Sequence, residues 1–598
     1  MVRSIRVGNC SGFYGDRLSA MREMLEGGPL DYLTGDYLAE LTMLILGRDR
    51  RRDPRLGYAR TFLRQLTECL GLARSANVRI VANAGGVNPA GLAEAIRELG
   101  GGVRVAHVEG DALHWPGALG AHAYLGAFGI AEALRHGADV VVTGRVTDAA
   151  LTLGPAVAEF GWTREDLDLL AAGTVAGHVL ECGTQATGGN FSGFTTLDTG
   201  RPLGFPLAEI AADGTVVITK HPGTGGAVTV DTVTAQLVYE IDTPRYLGPD
   251  VVTRLDTVQL VQQGADRVKI FGVRGAAPPA TAKVAVNRPG GHRNTVTFVL
   301  TGLDIEAKAA WVRRQLEAAL ARPPAVITWE LARTDRPDPA TQAQASALLH
   351  CHVQDFDPDV VGRAFSGAAV ELALASYPGF HVTAPPAAAR EFGVLETAHL
   401  PQSDIPHVAV LPDGARIDIP PPAAVAASGD TPPPAAVGTS GDGPPPAAVA
   451  ASGDLRPPAA VRASGGPPGT AGPRRAHRLA GAPATPAPLG RLVHARSGDK
   501  GGTATIGVWI PARHPRRHDA YAWLAGWLDA ARVRQLLPET APLRVTVHAL
   551  PHLAALNIVV DGLLGAGVAA STRSDPQAKA VGEWLRARVA DIPTELLT

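Results

Sequence analysis

Two short segments carry the residue types that proton transfer and anion binding require. From Glu181 to Phe194 the chain reads ECGTQATGGNFSGF, with four glycines and six polar or acidic side chains among fourteen residues and almost nothing apolar to bury. Glycine loses the most backbone freedom on folding and has no side chain to pack, so such a run is expected where backbone N–H groups approach a ligand, often an anionic one. The run KHPGTGG, from Lys220 to Gly226, repeats this chemistry further along. Gln185, Gly188, Gly189 and Gly225 are the expected substrate contacts of the two loops. The competing reading is a pair of surface turns, which glycine also serves.

The titratable residues around these loops define the candidate chemistry. Glu181 could take or deliver a proton, and Cys182 could act as a nucleophile if Lys220 or His221 lowered its pKa; otherwise Cys182 is a buried, inert thiol. Lys220 and His221 together suit a carboxylate, a thioester oxygen or a phosphate, or else form a solvated pair. Asp148 stands three residues after Arg145 at a helix start, where it is either an acid–base group beside an anion-binding arginine or a helix cap paired with it. Asn83 and Gly85 follow another strand. Asp499 and Lys500, between glycines, either reach the main cleft or form a tight hairpin. His350, His352 and Asp355 are metal-capable, but in an extended segment they have too few neighbours to close a site, so no metal is assigned.

Cofactor signatures are missing. No GxGxxG opens a helix after a strand, no GxxxxGK[ST] occurs, and Gly223–Gly226 precedes a strand-like segment, so nicotinamide and ATP are disfavoured and no cofactor is expected. Ser192 and Ser497 lack the GxSxG context of a nucleophile elbow. The chain has 55 basic and 57 acidic residues, a formal charge of −2, and no basic patch interleaved with aromatics, so nucleic acid is not an expected partner. No apolar run reaches the eighteen or so residues of a membrane span. The N-terminus enters a strand pattern at once, without a signal peptide's apolar core. The four cysteines, Cys10, Cys69, Cys182 and Cys351, are scattered, which fits a reducing compartment. A cytoplasmic homo-oligomer acting on a small molecule is expected.

The elements that must position these residues are legible as an alternation. Strands at 4–8, 30–33, 78–82, 103–108 and 138–143 are separated by helical patterns at 16–27, 39–47, 58–75, 90–99 and 118–136, with Asn88 placed to cap the helix opened by Pro89. This predicts an α/β domain over 1–200 with a mostly parallel sheet, whose ligands lie at the carboxyl ends of the strands. Polar clusters follow five of the strands, at 8–12, 34–36, 83–88, 109–111 and 143–148. A second, mixed α/β domain is expected over 201–415. PPAAV then begins at Pro421, Pro433, Pro445 and Pro457, and such repeats bury too little to fold, which makes 416–487 a disordered, semi-stiff linker. A small α+β domain over 488–598 completes the chain.

Six segments together resemble one family: GYAR from Gly57, NAGG from Asn83, TGR from Thr143, ECGTQATGG from Glu181, KHPGTGG from Lys220 and QLVYE from Gln236. They are similar to the acyclic terpene utilisation AtuA family, and RSGDKG from Arg496 with NIVVDGLLG from Asn557 resembles the ferredoxin-like domain appended to it. Members usually have Asn where this chain has Gly502. The resemblance implies a role in citronellol and geraniol catabolism through prenyl acyl-CoA thioesters, but transfers no reaction. The expectation is a non-redox lyase, hydratase or isomerase step on an anionic acyl or acyl-CoA substrate, with the glycine loops stabilising an enolate-like oxyanion. The alternative is a non-catalytic acyl-CoA-binding or assembly subunit.

Overall fold

A computed structural model describes residues 3–422 and 483–597, and the PPAAV repeats lie outside the described residues apart from Pro421 and Pro422. The described residues divide into two compact units. One gathers residues 3–288, 394–422 and 483–597; the other holds 289–393.

The first unit is built on an eleven-stranded sheet. Its centre runs Ser4–Asn9, Tyr32–Gly35, Arg79–Ala82, Val140–Thr143 and Val105–Glu109, all parallel. These strands are short and almost wholly apolar, as sheets covered by helices on both faces require. Antiparallel strands extend both edges. Pro206–Ala211, Val216–Lys220, Arg267–Phe271 and Gln259–Gly264 add to Ser4–Asn9 in that order, and Val408–Val410 with Arg416–Asp418 add to Val105–Glu109. The parallel centre places the polar turns after residues 9, 35, 82, 109 and 143 at one end of the sheet. The chain is thus mixed α/β with a parallel core.

The stretch 118–136, expected as one helix, is corrected. Gly120–Ala123 is a strand paired with Ala112–Leu113 and with 284–287, and the helix is only Phe128–Arg135. Gly126 explains the break: a Cβ there would fall 2.2 Å from the Asp250 carboxylate, which also accepts the Ala127 N–H at 2.7 Å. The run has helical composition, but a buried carboxylate occupies the place of a side chain. Asn88 does cap the helix Pro89–Glu98, accepting the Gly91 N–H.

The C-terminal part of this unit is a small α+β domain. His494–Lys500, Thr503–Trp509, Ala555–Val560 and Val545–Leu550 form an antiparallel sheet in that order. Helices Arg517–Trp527, Ala530–Leu536 and Val581–Ala587 supply Leu524, Val533 and Leu585 to a core shared with Ile506, Val508 and Ile558. Alternation along the strand sends Trp509 into the core of the α/β body instead. Strands Arg416–Asp418 and Ala484–Pro488 lie inside the span read as linker, so paired structure enters it from either side. In the second unit, 292–301 pairs with Ser346–Asp355 and that strand with Val326–Ala332, over a core of Phe298, Val312, Leu316, Leu349 and Phe365.

Candidate functional site

The turn after Val140–Thr143 carries Arg145. Gly144 is required there, since a Cβ would meet the Asp111 carboxylate at 2.3 Å. That carboxylate accepts the Arg145 N–H at 2.9 Å and holds His122 Nδ1 at 2.9 Å. The Arg145 side chain is 4% exposed; it donates to the Leu38 carbonyl at 3.3 Å and to Asp148 at 3.0 Å, and sits 4.3 Å over the Tyr124 ring. Burial opposes the guanidinium charge, but Asp148, Tyr124, Glu40 and Asp36 outweigh it and hold the group protonated. Glu40 accepts from Tyr124 at 2.6 Å and from Lys283 at 3.2 Å. Although burial raises its pKa, Lys283, Arg145 and Tyr124 reverse the effect and keep Glu40 ionised.

Asp36 follows the strand Tyr32–Gly35, two strands away from Val140–Thr143, and is pinned by Asn83, whose Nδ2 donates to it at 2.6 Å while Asn83 Oδ1 accepts the Tyr37 N–H at 2.8 Å. Burial first, and then Asp148, push Asp36 well above the usual carboxylate range, with Arg145 and Asn83 opposing. Gly85 belongs to the same turn, where the Thr143 carbonyl and Pro89 leave no room for a side chain.

Glu181 arrives from a different direction, at the end of the buried helix Leu167–Leu180. Its side chain is 9% exposed, its Oε1 lies 3.0 Å from His178 Nδ1, and its Oε2 is buried with no hydrogen-bond partner among the described residues. Burial, then Asp148 and Glu240, drive its pKa well up, against Lys500 and Arg145. His178 is pushed down to about 4 by burial and then Lys500, so its ring is neutral at physiological pH. The Cys182 thiol is likewise raised by burial, Glu181 and Glu240, which favours the neutral thiol over the thiolate a nucleophile needs.

The C-terminal domain closes over this cluster. Lys500 donates to the Glu240 carbonyl at 3.0 Å and lies 5.4 Å from the Tyr246 ring. Arg496 binds Gln185 and stacks 4.2 Å over Tyr239; Lys579 bonds the Tyr239 hydroxyl and reaches Glu240 at 3.4 Å. Asp499 is pushed up to about 7 by burial and by Glu240, against Lys579. Asp499 and Lys500 therefore serve both readings, since they end the hairpin of His494–Lys500 with Thr503–Trp509 and also join the cluster. Asn557 donates to the Ile241 carbonyl at 2.7 Å, and Ser192 lies 3.1 Å from His494 Nδ1. Exposure is graded across the cluster: Asp148, Lys500 and Glu240 are 28–36% exposed, with Arg145, His178 and Glu181 beneath them.

Arg145, Asp148, Glu181, Asn83, Gln185, Cys182, Asp499 and Lys500 thus belong to one connected polar network. Lys220 and His221 make different contacts. Lys220 pairs with Asp266 at 3.3 Å and donates to the Thr224 carbonyl, and His221 lies 3.1 Å from the Met24 carbonyl against Gly27 and Gly28. The N–H groups of Gly188, Gly189 and Gly225 donate to the carbonyls of Gln185, Thr184 and Pro202, so these N–H groups are taken up by the protein's own backbone. His350 and His352 face the hydroxyls of Thr297 and Thr295, and among the described residues no group of three or more His, Cys, Asp or Glu could hold a metal ion. No helix among them is long and apolar enough to cross a membrane. Sequence reading missed His178, Lys579, Lys283 and Tyr246 as members of the network; a lone histidine in the largely apolar LDLLAAGTVAGHVL was the available signal for the first.

The fold and cluster define a mixed α/β body whose buried ionic network is completed by an appended small α+β domain. Residues 5–116 and 114–411 match the model of the acyclic terpene utilisation family protein AtuA, and 487–590 match that of the AtuA ferredoxin-like domain. The chain belongs to the AtuA family. No curated protein and no solved structure matches it.

Proposed function

We propose that this chain catalyses a non-redox proton-transfer step, of the hydratase, lyase or isomerase kind, on an anionic acyl or acyl-CoA substrate in the utilisation of acyclic terpenes or related branched acids. The observation that carries the reading is the Glu181 carboxyl, nine-tenths buried, its pKa raised by burial and by Asp148, and holding a second oxygen with no hydrogen-bond partner among the described residues. Arg145 Nε and His178 Nε2 beside it are likewise buried without a partner among the described residues, whereas buried polar atoms are usually paired. Glu181 is the proton donor, His178 fixes its orientation, and Asp148, more exposed and paired with Arg145, is the complementary carboxylate. Two carboxyl groups in such different surroundings divide acid and base roles between them. Arg145 and Lys500 bind the substrate anion and stabilise the charge that develops on a carbonyl oxygen.

The test is Glu181→Gln, assayed against a panel of CoA thioesters and free branched acids that native mass spectrometry first screens for binding. Turnover should fall about 10²–10⁴-fold while ligand affinity is kept. Unchanged turnover would remove Glu181 from the chemistry, and wild-type binding without turnover on any ligand would favour the binding-subunit reading.

A further inference from the structure

A cavity of about 390 Å³ lies between the helix Glu40–Arg52 and the strands Ala112–Leu113 and Gly120–Ala123. Its walls are of two kinds. Met43, Leu44, Val87 and Leu113 are apolar, whereas His122, Asn287, Arg50 and Arg51 offer hydrogen bonds and positive charge.

Three observations mark it as a built site. His122 is buried and its Nδ1 is fixed by Asp111 at 2.9 Å, which leaves Nε2 as a ring atom without a partner among the described residues. Asn287 as a whole residue is 6% exposed, and its side-chain amide likewise makes no hydrogen bond among the described residues. Both groups open onto the cavity and neither is a fully enclosed unpartnered atom, so they are free to hydrogen-bond an occupant. At Gly47, on the facing helix, an added Cβ would meet nothing within 4 Å, so this glycine keeps the cavity open.

We infer that this cavity binds an amphiphilic carboxylate of about a dozen heavy atoms, its chain against Met43, Leu44, Val87 and Leu113 and its charge met by Arg50 and Arg51. The size follows from the volume, taking roughly 30 Å³ for each water-sized unit, and a mostly apolar pocket with a few placed polar groups is the usual form of a small-molecule site. Arg51 makes no ion pair or hydrogen bond among the described residues, and Arg50 gives one N–H to the Val87 carbonyl and keeps others available. The cavity also touches the cluster around Arg145. His122 and the Arg145 N–H share the Asp111 carboxylate, and the helix that walls the cavity begins at Glu40, a partner of Lys283 and Tyr124. The inference goes beyond the proposed function, which places its substrate anion on Arg145 and Lys500, and binding in this cavity is measurable without turnover.

The probe is decanoate, with decanol and butyrate as controls, titrated calorimetrically into the full chain. One decanoate per chain should bind, with decanol and butyrate each at least tenfold weaker. Gly47→Leu, which fills the cavity at a helix position where any residue but proline is easily accommodated, should weaken decanoate at least tenfold without lowering the melting temperature. Arg51→Ala should remove the preference for decanoate over decanol. No decanoate binding, or binding unaffected by Gly47→Leu in a protein that still melts normally, overturns the inference. If Gly47→Leu unfolds the chain, Asn287→Ala replaces it with the same two readings. Glu181→Gln should leave decanoate affinity unchanged, so failure of the acid–base reading and failure of the pocket appear in different experiments.

Discussion

At the scale of single residues, the site is governed by carboxyl groups held out of water among cations. Arg145 is the hub, because Asp36, Glu40 and Asp148 all act on it. Removing one member of a buried ionic set typically costs about 3–5 kcal/mol, since its partners stay buried and uncompensated. Arg145→Met should therefore destabilise the protein by several kcal/mol in urea melts and abolish anion binding, while Arg145→Lys should recover part of the stability. A mutant as stable as wild type would show that the carboxylates relax into solvent. Asp499 gives a sharper test in pH. Its unfolded value is near 3.9, and burial with Glu240 lifts it to about 7 in the fold. Between these values the native state holds a proton that the unfolded chain has released, so stability falls as pH rises from about 4 to about 7 and then levels. The full effect is up to about 4 kcal/mol. Asp499→Asn should thus melt higher than wild type at pH 8 and lose that advantage by pH 4; equal melting at both would exclude the buried carboxyl.

At the scale of elements, two glycines let the C-terminal sheet sit against the α/β body. A Cβ on Gly507 would fall 2.1 Å from Val238, and one on Gly498 2.4 Å from Tyr239, distances no packed structure tolerates. Gly507→Ala should detach the small domain, seen as rapid cleavage of the intact chain into two fragments by limited proteolysis and as lost turnover. An intact, active mutant would mean that the strand yields without cost. The same elements explain what sequence could disclose. The alternation of Ile5, Ile80 and Val140 strands with helices at 60–75 and 89–98 is local and was readable. Residues 118–136 were not, because their alanine and leucine content suits a helix while the obstacle, Asp250, lies far away in sequence. In the site, Arg145, Asp148 and Glu181 were recognisable from their glycine-flanked contexts. Their convergence with Lys500 was not, because the Lys500–Glu240 contact spans 260 residues and no local pattern encodes it. Lys220 and His221 looked equivalent to them, yet Lys220 is taken up by Asp266 and Thr224 and His221 by the Met24 carbonyl.

At the scale of the whole molecule, the contacts that seat the C-terminal domain join residues 483–597 to 185–264 and to Leu395, all of them among the described residues. Excising one twelve-residue repeat, residues 433–444, should therefore leave melting temperature and turnover unchanged. A loss of either would assign the segment a structural part that its composition does not predict. The pairing of Tyr239 with Lys579 bridges 340 residues. A ribosome adding roughly 5–20 residues per second needs about 17–70 s to cover that stretch. Throughout that interval the nascent α/β body carries the Val238–Tyr239 surface and the Glu181–Glu240 carboxyls bare, so a chaperone that shields them during synthesis would raise the yield of active protein.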